Sequence, residues 1–453
     1  MKSVDAVQET LKKINDIDQG GYQLKSVLAV SDDALEQSLR FDQENSNLPL
    51  QGLPILLKDN IEAVGLPATA GSLALAGATV KKDSTIAQRL RSAGAVIVGA
   101  TNLSEWANIR STSSTSGWSA LGGLTANPWI HSKSAGGSSS GSGAAVAAGI
   151  TQWAIGSETD GSIICPASMN GCVGIKPTVG SIPRDGMIPI SASQDSPGPM
   201  SQTVGQAALL LDVLTDKNIY LAATKSEQKL TIGIVRQWLT SNSDVDALFE
   251  DSIKKLEKAG FSFLDVELTP PEEKDHNDEL LVLLYELEEG LNKYLSARPG
   301  AQVTNLAEVI AFNREHSETE LAYFGQELFG KAMEYQGKNA DYLQARTRNL
   351  AWAEKNLEAG LAKADVFIGC TYGPAWESTL TTGDSNQIAS WITTAPAIAG
   401  TPIGTIPMGL VSGLPVGLGF VSGRNQEAKL ITAMASAERA LDIGVMRPTF
   451  LRD

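Results

Sequence analysis

Two rhythms of apolar residues run along this chain. Short unbroken apolar runs bounded by Gly or Pro occur at residues 53–57 (LPILL) and 95–99 (AVIVG), the pattern of strands buried on both faces. Helical spacing with capping signals marks residues 4–18, 31–43, 84–93, 204–214 and 244–259. Residues 229–235, 261–266 and 365–370 read as further strands. Residues 393–421 hold two apolar strands about a turn at Ser412-Gly413, and 426–441 read as a last helix. The run NLSEWANI (102–109) predicts a short helix. Residues 111–127, rich in Ser, Thr and Gly, and the Pro- and Gly-punctuated residues 180–202 predict long loops. The order helix, glycine, buried strand predicts an α/β protein with a largely parallel sheet.

One run stands apart. At 134–176 a Gly/Ser loop opens a helix of small residues, a short apolar run follows, and a second Gly/Ser turn at 159–162 opens another helix. Residues 270–360 shift in composition: they are charged, helical and poor in Gly, with ELLVLLYELEEGLNKYL at their centre. With no repeat and no low-complexity linker, a single domain over 1–453 is expected. It comprises N-terminal helices to about 45, a core at about 50–215, a helical cap-like region at about 270–360, and C-terminal strands and a helix at about 365–445.

Composition narrows the function. Of 453 residues 42% are hydrophobic and 19% charged, with a net charge of −15. Such an acidic chain lacks the basic stripe that nucleic acid requires. It contains no apolar run long enough to span a membrane. Three cysteines (Cys165, Cys172, Cys370) without metal spacing fit reduced thiols in the cytoplasm. His131, His276 and His316 are too few and too scattered for a His-based metal site. Neither metal nor cofactor is expected.

The serines leave several readings open. Gly137-Ser138-Ser139-Ser140-Gly141 matches G-x-S-x-G with Ser139 as nucleophile, but the preceding SKSAG is no strand and few histidines follow. A Gly/Ser loop opening a helix is also an anion nest, which suits a nucleotide- or metabolite-binding protein without catalysis. A tight turn needing small residues is the plainest reading. Lys58, at the end of an apolar strand, either emerges into water or is buried for a purpose.

Three blocks together resemble the amidase signature family: GLPILLKD at 52–59, GGSSSGS at 136–142, and Gly161-Ser162-Ile163 with Pro166. Supporting blocks are GCVGIKPT (171–178), Gly198-Pro199-Met200 and GLPVG (413–417). The resemblance covers most of the chain and weakens between about 215 and 360. It implies the amidase-signature fold, a large mixed, mostly parallel sheet flanked by helices on both faces. It also implies a Ser-cisSer-Lys triad, with Ser162 as nucleophile, Ser138 as relay after a cis peptide from Gly137, and Lys58 as base. Lysine acts as a base only when neutral, so its pKa must fall by roughly 2–3 units through burial or a nearby positive charge. The turn at Thr159, Asp160 and Gly161 is placed to offer backbone N–H groups to an oxyanion.

The departures carry the substrate question. Asp160 stands before Gly161, and Ile164 occupies a position where the family commonly has Arg. This version of the motif, Glu158-Thr159-Asp160-Gly161-Ser162, with Asp185-Gly186 and Ser193-Gln194-Asp195 further on, resembles the bacterial peptide amidases, which implies hydrolysis of peptide C-terminal amides. Asn108, Asp160, Ser139 and Trp118 are the candidate substrate contacts. The expected partner is a small-molecule or peptide amide, and the expected state a monomer or homodimer. A general aliphatic or aryl amidase and an amidotransferase A-type subunit are the alternatives.

Overall fold

Residues 54–57 are aliphatic on both faces of an extended chain, so they are stable only with strands on either side and helices above and below. The structure, a computed structural model, describes residues 2–44, 47–384 and 390–451. Its strands are β1 (Val27–Val30), β2 (Pro54–Lys58), β3 (Val96–Thr101), β4 (Trp118–Ser119), β5 (Gly123–Leu124), β6 (Trp153–Glu158), β7 (Val173–Lys176), β8 (Ser196–Ser201), β9 (Thr231–Ile234), β10 (Ser262–Asp265), β11 (Val366–Cys370), β12 (Ile403–Val411) and β13 (Leu414–Ser422). Eleven of them form one sheet in the order β1-β3-β2-β6-β8-β7-β12-β13-β11-β9-β10, and β4 pairs with β5. The α/β class and the mixed sheet agree with the sequence reading. Parallel pairing joins β2 to β3 and β6 on one flank, and β9 to β11 and β10 on the other. The six remaining neighbouring pairs are antiparallel, because β12 and β13 form a hairpin and β8 turns back between β6 and β7.

Strand alternation sorts the core onto two faces. Ile55, Leu57, Ile97 and Ile155 lie under the helices Thr85–Ser92, Val204–Thr215, Ser243–Lys258 and Glu427–Leu441. Leu56, Val96, Val98 and Ala154 lie under the small-residue helices Ser140–Ala147 and Ile164–Asn170. Small residues there allow close approach: a Cβ at Gly141 would sit 2.2 Å from the carbonyl oxygen of Ser26. No helix among the described residues is long and apolar enough to cross a membrane.

Several segments depart from the sequence reading: β1 lies in the N-terminal stretch expected to hold helices, β4 and β5 pair within the predicted loop 111–127, and two departures bear on the site. Residues 196–201 (SPGPMS) form β8, inside the sheet, where the punctuation by Pro and Gly predicts a loop. Prolines disguise the strand. They are tolerated because β8 pairs with β6 along its whole length but with β7 only at Met200 and Ser201, so Pro197 and Pro199 occupy an edge-like stretch. Residues 102–109 form only a 3₁₀ turn at Glu105–Asn108, with Trp106, Ala107 and Asn108 at positive φ. The Trp106 N–H is taken by the Ala70 carbonyl, which turns the chain out of a regular helix.

Residues 270–360 are helical as expected. Glu273–Ala297, Leu306–Glu315 and Glu327–Glu334 bury Leu284, Leu287, Leu291 and Phe329 against Ala74, Leu75, Trp106 and Ile188 of the preceding loops. A charge cluster joins the same parts. Arg110 is fully buried, bonded to Glu105 and Glu320, with the Phe324 ring 4.4 Å from its guanidinium carbon. Removing one partner of a buried pair leaves an uncompensated charge, which costs about 3–5 kcal/mol. Arg110→Ala is therefore expected to lose that much in chemical denaturation, far more than Lys254→Ala, which removes one member of the exposed Lys254–Asp251 pair.

Candidate active site

Lys58 ends β2 and shares a strand face with Leu56, so it points toward the helix Ser140–Ala147 rather than into water. Its amine is completely buried. It donates to Ser138 Oγ at 2.7 Å, to Ser157 Oγ at 3.0 Å and to the Ser157 carbonyl at 3.2 Å. Burial lowers its pKa to about 7, against the opposing pull of the Asp195 and Glu158 carboxylates. Desolvation is the dominant cause because the amine is closed off from the solvent that would stabilise an ammonium.

Ser138 follows a cis peptide from Gly137. The next residue latches the loop to β6: Ser139 Oγ donates to the Ser157 carbonyl at 3.0 Å and accepts from Ser157 N at 3.2 Å. The Ser139 N–H also donates to the carbonyl of Ser162 at 3.1 Å, which holds the second Gly/Ser turn against the first. Ser162 is half-buried. Gly161 before it has φ +80°, and a Cβ there would lie 2.4 Å from the Tyr372 hydroxyl, so only glycine fits.

Two buried carboxylates bracket this turn. Glu158 Oε2 accepts the N–H groups of Ile163 at 2.7 Å and Ile164 at 2.9 Å. Asp195 Oδ1 accepts the Thr159 hydroxyl at 2.6 Å, and its Oδ2 accepts Ile190 N at 2.8 Å and Ser191 N at 2.9 Å. Burial pushes the Asp160 carboxyl up, opposed by a hydrogen bond from the Thr393 hydroxyl. Among the described residues, no hydrogen bond within the protein occupies the N–H groups of Thr159, Asp160 or Gly161.

The fold thus gathers Lys58, Ser138, Ser139, Thr159, Asp160, Gly161 and Ser162. The other two candidates are placed differently. Trp118 is buried edge-on against Phe324 and Tyr323, beside Arg110, in the contact between the loop and the helical region. Asn108 is half-buried in the left-handed region, with Oδ1 lacking a partner among the described residues. Sequence reasoning passed over Ser157 and gave Glu158 no role beyond its place in the motif, because a serine and an acid at a strand end have no distinctive spacing.

Lys58 binds its proton below about pH 7 in the folded chain and below about 10.4 when unfolded. The unfolded state therefore binds more protons between those values, and stability rises with pH across that window. Lys58→Met is expected to be more stable than the parent at pH 7 by about 2–4 kcal/mol, with the margin shrinking toward pH 10 in denaturant titrations.

Comparison with known proteins identifies the family. The Amidase family model matches residues 5–431. A probable amidase of Arabidopsis thaliana is 35% identical over 462 residues, covering 96% of this chain and 86% of its own. A glutamyl-tRNA(Gln) amidotransferase subunit of Methanosarcina mazei is 32% identical, covering 94% and 92%. The native peptide amidase from Stenotrophomonas maltophilia superposes with a TM-score of 0.93 at 39% identity, covering 99% of this chain and 96% of that one. A complex of the peptide amidase PAM with the competitive inhibitor chymostatin gives 0.94 at 40%, with the same coverage. On the family match and these near full-length relatives, the chain belongs to the amidase signature family and is an amidase, a hydrolase of C–N amide bonds.

Proposed function

We propose that this amidase hydrolyses peptide C-terminal amides through an acyl-enzyme on Ser162, with Ser138 as proton relay and Lys58 as base. The observation that carries the mechanism is the 2.7 Å bond from Lys58 Nζ to Ser138 Oγ, between two fully buried side chains. A hydroxyl both donates and accepts, so Ser138 can take the Ser162 proton while passing its own to Lys58. Ser162 Oγ then bonds to the amide carbon, and the carbonyl oxygen becomes an oxyanion facing the N–H groups of Thr159, Asp160 and Gly161. Collapse breaks the C–N bond as the proton returns through Ser138 to the nitrogen, which leaves as ammonia. Water attacks the ester by the same route and releases the carboxylate and Ser162. A base with pKa near the working pH is the most effective, and burial brings Lys58 there.

The peptide substrate is supported by the likeness to peptide amidases along nearly the whole chain. The Methanosarcina relatives favour a second reading, the amidase component of a transamidation complex. Against it, Ile164 is a buried aliphatic residue where the family commonly has Arg, so a substrate carboxylate finds no partner at that position.

Ammonia release from a panel of peptide amides and simple amides by the chain alone separates the two readings. Hydrolysis of peptide amides without a partner protein is expected; activity only with added partner proteins would overturn the first reading. Ser162→Ala and Lys58→Ala are each expected to lower kcat by about 10⁴-fold or more, as removal of a nucleophile or its base does; parental turnover in either would refute the role given to it. In the parent, kcat/KM is expected to rise through about pH 7 as Lys58 loses its proton, then level off.

A further inference from the structure

Each carboxylate that brackets the nucleophile turn does two things at once. Glu158 reaches past Ser162 to the N–H groups of Ile163 and Ile164, while Asp195 holds Thr159 on the other side. The four residues 159–162 are therefore pinned at both ends by side chains that make no contact with the reacting atoms. Both carboxylates lie close to Lys58 along the chain's own contacts: the amine bonds to the carbonyl and hydroxyl of Ser157, directly before Glu158, and Glu158 pairs across the sheet with Ser196, directly after Asp195. The two carboxylates oppose the effect of burial on the amine. Asp59, next to Lys58 in sequence, is turned away and bonded to Thr69 and to Gly71 N. Burial pushes the Glu158 and Asp195 carboxyls up, and cations oppose it: Lys176 acts on Glu158 and Asp160, itself under the influence of Glu427 and Arg424, and Arg184 acts on Asp195.

We propose that Glu158 and Asp195 are paired positioning residues, which hold the oxyanion turn in shape and place negative charge beside the Lys58 base. The inference rests on the reading of Lys58 as base. Burial alone favours a neutral amine but also makes it a weak base; two nearby carboxylates act in the opposite sense. Isosteric amides separate the two roles. Glu158 Oε1 has no partner among the described residues, so the Nε2 of glutamine fits there while its oxygen keeps both N–H bonds. In Asp195→Asn the amide oxygen keeps Ile190 N and Ser191 N, and the amide nitrogen donates to the Thr159 hydroxyl.

The test is the pH profile of kcat/KM on a peptide amide for Glu158→Gln and Asp195→Asn, with circular dichroism to establish folding. Loss of one facing negative charge is expected to move the acid limb to lower pH by about half a unit or more in each. A purely structural role moves kcat and leaves the limb in place. Glu158→Ala, which loses the bonds to Ile163 and Ile164 as well, is expected to lose about 100-fold in kcat, the scale of one oxyanion donor. A limb unmoved in every folded isostere overturns the proposal, as does parental kcat in folded Glu158→Ala. If one isostere does not fold, the other decides. Should Ser162→Ala remain active, the acyl-enzyme reading itself has failed; an inactive Ser162→Ala with unshifted isosteres condemns only this inference.

Discussion

The bond between the Lys58 amine and the Ser138 hydroxyl, 2.7 Å long and sealed from water, is the constraint around which the core is arranged. A buried ammonium is strongly disfavoured, so the fold has to keep the amine largely neutral and meet its N–H groups with oxygen. Ser138 Oγ, Ser157 Oγ and the Ser157 carbonyl do so. All three acceptors are in reach only because β6 lies beside β2 in parallel, so that Lys58 and Ser157 come to the same end of the sheet.

Everything nearby follows from that closeness. The loop carrying Ser138 is bolted to β6 by Ser139, and the turn carrying Ser162 is bolted to that loop through the Ser139 N–H. Small residues line the helix behind the loop, and glycine is required at 161, because backbone and side chains approach too closely for a Cβ. Asp160 and Ile164, where the chain departs from the commoner family pattern, sit within this same turn and the helix it opens. The distinctive chemistry of the site is thus set on a frame of backbone bonds.

The helical region reaches the frame by polar contacts as well as apolar ones. Glu286 accepts from Ser191 and Ser193, and Glu279 takes the Gln194 amide at 2.9 Å, beside Asp195. Glu320 meets Arg110 in the buried cluster. Buried polar contacts of this kind are costly when incomplete, so they fix the helices in one position over the loops.

The blocks that hold Lys58, Ser138 and Ser162 were legible along the chain through their resemblance to a family, whereas the residues alone left the lysine two readings and the Gly/Ser loop several. The main helices and the hydrophobic strands, whose burial is written in unbroken apolar runs, were legible too. The strand at 196–201 was not, since Pro197 and Pro199 argue against a strand until the partial pairing of β8 is known. Nor was the part played by Ser157, Glu158 and Asp195, the last two of which stand out only as members of a motif. Their side chains are ordinary ones, and Ser157 and Asp195 acquire a role through partners 99 and 36 residues away. Local sequence determined which residues carry reactive groups. The sheet order decided which of those groups meet, because it brings a lysine within reach of a serine 80 residues along the chain and closes both off from water.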